Sequence, residues 1–164
     1  MDIGLIAPGE DTVSVEIGSE FMETAIALSP DGRWLAHVSD ETGRGEVYVR
    51  SFPDPTLFKE QISTAGGSQP LWGRTGRELF FLKEDRELVS VDVSLGDDFR
   101  VGNRRPLFTV PGEMFLLEKD YYAMYDVDVD DQRFMMLRAI EGEETGRLVL
   151  MLNWLDELKA QLGR

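Results

Sequence analysis

The feature that most constrains this chain is an internal repeat. Three segments read alike: AIALSPDGRWLAHVSD (25–40), QPLWGRTGRELFFLKED (69–85) and MYDVDVDDQRFMMLRAI (124–140). Each is a strand, a tight turn and a second strand, with Gly32, Gly76 and Asp131 at the same turn position. The spacings are 76 − 32 = 44 and 131 − 76 = 55. The first is close to the roughly 40–45 residues of a four-stranded repeat unit, and the excess in the second falls between about 94 and 122.

Turn chemistry supports the alignment. Pro30 presets φ for the first corner of a β-turn, Asp31 can bond back to the backbone, and Gly32 tolerates positive φ. Thr75-Gly76 serves less neatly. Asp130-Asp131 lacks glycine, but aspartate accepts the left-handed region better than most residues.

Further strands follow each unit. GEVYVRSF (45–52) and RELVSVDV (86–93) alternate with period two, and GRLVLMLNW (146–154) is a nearly continuous apolar run. Residues 58–64 and 107–110 are expected as outer fourth strands. Asp2–Ala7 and Thr12–Ile17 read as the last strands of a preceding unit. Trp154, Leu155, Leu158 and Leu162 recur at helical spacing, which predicts a short amphipathic helix over 154–162.

The run SPDGRWLAHVSDETGRGEVYVRSFP resembles the repeat of TolB-type, WD-repeat-like β-propellers. GGSQPLWGRTGRELFFL and YDVDVDDQRFMMLRAIEGEE resemble further repeats of that family. In order and wording these runs are most similar to the C-terminal end of the propeller attached to some bacterial serine/threonine protein kinases. The resemblance covers roughly residues 20–160. It implies an all-β fold of antiparallel four-stranded blades, about three to four in number, forming an incomplete or small propeller with a short C-terminal helix. The expected division is a partial blade at 1–18, blades at 19–64 and 65–110, a blade with an inserted loop at 111–154, and the helix. It does not fix a function, because such propellers bind many partners. The chain has no glycine-rich nucleotide loop and no His-Arg-Asp loop, so kinase activity does not carry over.

Composition narrows the function classes. The net charge is −14, which repels phosphate and argues against a nucleic-acid partner. No apolar stretch approaches 18 residues, so no membrane-inserted helix is expected. The acidic start, with no basic segment before an apolar one, does not read as a signal peptide. The chain as given thus reads as soluble and cytoplasmic, whereas the family resemblance implies a periplasmic or extracytoplasmic place. With no cysteine there is no disulfide, thiolate nucleophile or thiolate metal site, and one histidine excludes a multi-histidine site.

Candidate sites are few. Asp126, Asp128 and Asp130 fit positions 1, 3 and 5 of a calcium loop, but Asp131 and Leu137 stand where glycine and glutamate belong. A solvated strand end and turn is the favoured reading, and no cofactor is expected, calcium being the one alternative. Some acidic pair at glycosidase spacing is expected by chance among 31 acidic groups. His37 in LAHVS reads as a strand histidine bonded to a neighbour rather than as part of a catalytic triad. Gly66-Gly67, without a following lysine, reads as a connection between blades rather than a phosphate loop. Trp34, Trp72, Phe80, Phe81, Phe134 and Trp154 recur at repeat positions and read as packing between blades.

The loop 111–125 carries Phe115, Leu116, Leu117, Tyr121, Tyr122 and Tyr125. Exposed, it is an interface; folded back on the sheet, it is core. The expected function is a non-catalytic protein-interaction or sensor module. Its expected partner is another protein or a second copy, as a homo-oligomer, since partial propellers leave sheet faces and edges open. The competing classes are a hydrolase with a site at the propeller mouth and a calcium-stabilised structural repeat.

Overall fold

In the computed structural model, residues 2–6, 8–9, 11–12, 14–96, 98–112 and 123–137 are described. They are all-β and antiparallel. β1 (Ile3–Leu5) pairs with β2 (Ser14–Ile17). A four-stranded sheet follows in chain order: β3 (Glu23–Leu28), β4 (Trp34–Ser39), β5 (Glu46–Ser51) and β6 (Lys59–Gln61). A second has the same order: β7 (Ser68–Trp72), β8 (Glu78–Leu82), β9 (Glu87–Leu95) and β10 (Phe99–Thr109). β11 (Tyr125–Val127) pairs with β12 (Phe134–Met136).

The repeat in sequence is a repeat in backbone geometry. Gly32, Gly76 and Asp131 have φ of 71°, 69° and 60°. Each donates its N–H back three residues, to Ser29 O (2.9 Å), Gly73 O (3.0 Å) and Asp128 O (3.0 Å). Each turn is closed by the same second bond, from Ser29, Gly73 and Asp128 N to Trp34, Glu78 and Arg133 O. The first strands of the two complete sheets share a further device. Ala25 and Gln69 both have φ of 52°, and each sits where the strand slips register against its neighbour. Such bulges bend an edge strand and increase its twist.

The central strands are buried on both faces because a sheet lies on either side of them. In β4 every residue of WLAHVS is buried. One face packs on the second sheet, the other towards β1–β2. The largest core lies between the two complete sheets and holds Trp34, Val47, Val49, Leu79, Phe81 and Val91. Its outer end is an aromatic cluster in which Phe99 stacks obliquely on Trp34 (5.2 Å) and meets Phe58 (5.7 Å) and Trp72 (6.2 Å) edge to face. Trp72 Nε1 donates to Ala27 O across the same gap at 2.9 Å. A second core joins Phe80, Leu88 and Phe108 to Tyr125, Val127 and Phe134. A third, small one joins Ile3 and Ile17 to Leu35.

Two expectations need correction. The outer strand of the second sheet is not confined to 107–110 but runs over Phe99–Thr109, through most of the first half of the presumed loop. Register slips at Val101/Arg104 and Pro106/Phe108 hide its period, and as the edge strand it tolerates Pro106. The outer strand of the first sheet is shorter than 58–64, covering Lys59–Gln61. The strand expected at 146–154 and the helix expected at 154–162 lie outside the described residues. Among the described residues no helix is long and apolar enough to cross a membrane.

Candidate functional site

The one histidine is fully buried on β4 and works as a tie between strands. His37 Nδ1 lies 2.8 Å from Glu23 Oε2. Arg50 Nε donates to His37 Nε2 at 3.3 Å, which leaves the ring proton on Nδ1, facing the carboxylate. The other Glu23 oxygen accepts from Ser19 Oγ (3.0 Å) and Ser39 Oγ (3.2 Å). Burial pushes the Glu23 carboxyl up, but the hydrogen bonds from His37 and the two serine hydroxyls outweigh it, and the group sits below its usual range. A catalytic triad needs a serine at the imidazole nitrogen remote from the carboxylate. Here that nitrogen faces Arg50, and both serines bond the carboxylate instead. The constellation fastens β3 to β4 and β5; it does not activate a hydroxyl.

A second buried carboxylate does the same at the strand ends of β5. Glu46 Oε1 accepts from Arg44 Nε (2.7 Å) and Gly66 N (2.9 Å), and Oε2 accepts from Ser63 Oγ. Burial raises its carboxyl, and the bonds from Ser63, Gly66 and Arg44 more than reverse that, holding it below its usual range. This explains the glycine pair. Gly66 has φ of 82°, and a Cβ on Gly67 would lie 2.7 Å from Ser63 Cβ. The pair shapes the connection between sheets around Glu46.

The three aspartates proposed for calcium do not converge. Arg74 holds Asp126 through both carboxylate oxygens (2.7 and 2.8 Å). Asp128 pairs with Arg133. Asp130 accepts from Gln132 N at 3.2 Å. Among the described residues no group of three His, Asp or Glu side chains is placed to share a cation. The aspartate that reaches furthest is Asp131, buried, which accepts from Arg74 N (2.6 Å), Thr75 N (3.1 Å) and Thr75 Oγ1 (2.5 Å). It clasps the turn of the neighbouring sheet. The glycine-like φ was legible in sequence; the clasp was not, because its partners lie more than 50 residues back.

Of the residues expected on an interaction loop, Phe115, Leu116, Leu117, Tyr121 and Tyr122 lie outside the described residues. Tyr125 is not exposed. It belongs to the core, with its hydroxyl donating to Gln69 O at 2.8 Å, and burial holds its phenol well above the usual range. Trp34, Trp72, Phe80, Phe81 and Phe134 are all in cores between sheets, and Trp154 lies outside the described residues.

The exposed apolar surface lies elsewhere. In β3, Ala25 and Ala27 face the second sheet, so Ile26 and Leu28 point to the opposite face. That face is the one β1–β2 covers at Leu35. Leu28 pairs directly with Leu35, yet Leu35 is buried while Leu28 is 49% exposed and Ile26 57%. Met22, at the start of the strand, is 50% exposed, and Leu5 and Ile6 of the covering pair are also open. A two-stranded layer thus lies on a four-stranded sheet and leaves the β3 side bare. Ile26 and Leu28 therefore form an exposed apolar pair on one face of the sheet. Sequence reasoning missed it, because alternation identifies two faces without saying how wide the neighbouring layer is.

No family model and no curated protein matches the chain. Among solved structures, TolB from Acinetobacter baumannii is similar over 81% of this chain and 42% of its own, at 14% identity and a TM-score of 0.42. A protein of Bacteroides uniformis described as a 6-phosphogluconolactonase is similar over 90% of this chain and 46% of its own, at 17% identity and a TM-score of 0.45. The chain spans less than half the length of either.

Proposed function

We propose that this chain is a non-catalytic protein-interaction module of the propeller type, and that its contact surface is the bare β3 side of the first sheet. The observation that carries the reading is the exposed pair Ile26 and Leu28, on the face that β1–β2 covers at Leu35. Large apolar groups left open on a partly covered sheet face mark an interface. The partner argued for is a second copy. A sheet face left open by a half-width layer is complementary to another such face, and two-fold pairing uses the same patch on both chains. The buried polar groups support binding over catalysis: His37, Glu23 and Glu46 are each held by structural bonds.

Light scattering on a sizing column tests this. The expected result is a mass above the 18.6 kDa of one chain that grows with concentration. An Ile26→Glu variant, placing a charge in an exposed position, is expected to elute as a single chain with an unchanged melting temperature. A wild-type chain that stays monomeric throughout the range sinks self-association through β3.

A further inference from the structure

The gap between the two complete sheets is not closed everywhere. Towards the end of the strands away from the aromatic cluster, a recess of about 230 Å³ lies between the 62–66 connection and the face of the second sheet. Its floor is apolar: Ile62, Phe81 and Val89. In the ladder Phe81 pairs with Val89, Val89 with Pro106, and Val91 with Arg104, so these side chains stand on one face.

The two ends of the recess differ in charge. At one end Lys83 is already neutralised, bonded to Glu87 (2.8 Å) and Asp85 (3.3 Å), and Glu84 packs against Gly66. At the other end stands Arg104. Its Nε donates to Ile62 O at 3.0 Å, which anchors the side chain to the recess wall. Its two terminal nitrogens have no partner among the described residues. Arg104 pairs with Val91, four residues along β9 from Glu87, or about 13 Å of strand. An anion is therefore favoured at the Arg104 end and repelled at the other, with an apolar floor between.

We propose that this recess binds a small apolar carboxylate: an acid whose hydrocarbon body lies over Phe81 and Val89 and whose carboxylate takes the terminal nitrogens of Arg104. Size agrees. An apolar cavity of about 150 Å³ admits benzene, so the recess has room for one ring and a short acid chain. The same chemistry is presented by a free arylalkanoic acid and by the C-terminal residue of a peptide ending in phenylalanine. The site is independent of the β3 surface, lying between the sheets rather than on the bare face.

The test is a titration of the full chain followed by amide chemical shifts, with 3-phenylpropionate and its neutral amide as probes. The expected result is saturable shifts confined to residues 62–66, 81–91 and 104–106, with the acid binding about tenfold tighter than the amide, as for a hydrogen bond to a charged group. In Arg104→Gln that preference disappears. In Ala65→Trp, which fills the recess from an exposed position, both probes lose binding while the melting temperature holds. Acetyl-Ala-Phe against 3-phenylpropionate then separates the sources. Tighter binding of the peptide acid assigns the site to a chain terminus; tighter binding of the free acid assigns it to a small molecule. Absence of saturation, equal affinity of acid and amide in the wild-type chain, or shifts centred elsewhere would overturn the proposal.

Discussion

Asp131 does two jobs that pull a sequence reading in different directions. Its backbone needs φ of 60°, which glycine serves best, while its carboxylate accepts three bonds from the adjacent turn. The two are separable. Asp131→Ala removes the clasp and adds backbone strain, and is expected to cost about 2–4 kcal/mol. Asp131→Gly removes the clasp but relieves the strain, and is expected to cost less than the alanine. Urea midpoints of the two variants decide it; a glycine variant worse than alanine contradicts the account. Acid stability belongs to the same scale. Glu46 has its carboxyl lowered in the folded chain, from an ordinary value of 4.5. Its stabilising share is therefore complete above that value and is lost as pH falls below it, through the lowered folded value. Glu46→Gln is expected to flatten the stability curve below about pH 4.5. An acid limb equally steep in the variant shows that Glu46 does not carry it.

At the scale of elements, what was legible is what local physics fixes. The tight turns were readable because Pro30, Asp31 and the glycines satisfy a short-range geometry. The strand–turn–strand units were readable because alternation is local. β10 was misjudged because two register slips interrupt its period, and its identity depends on pairing with β9. The stacking of sheets was only half readable. Aromatic recurrence indicated packing between layers, while the width of the β1–β2 layer is a property of the fold and leaves no mark on β3 itself. The aromatic cluster at the outer end of the main core offers a direct check. Phe99→Ala is expected to destabilise by about 3–5 kcal/mol, since the ring touches Trp34, Phe58 and Trp72 and leaves a cavity. Leu57→Ala, at a site 78% exposed, is expected to stay within about 0.5 kcal/mol. Thermal or urea unfolding checks both, and comparable losses at the two sites would mean that the packing is misassigned.

At the scale of the whole molecule, two tendencies oppose each other. A net charge of −14 keeps copies apart, while the proposed pairing through the open face of β3 would draw them together. Salt screens the first and leaves the second, so association is expected to strengthen as ionic strength rises. A mass that falls with added salt would point instead to a charged interface. The central claim is narrower: the bare face of β3 is the surface that gets covered. Hydrogen exchange over 22–28, measured on dilute and on concentrated samples, tests it most directly. The account predicts slower exchange in that stretch on concentration, with β8 and β9 unchanged. Equal exchange at both concentrations, or protection appearing elsewhere while β3 stays open, would contradict it.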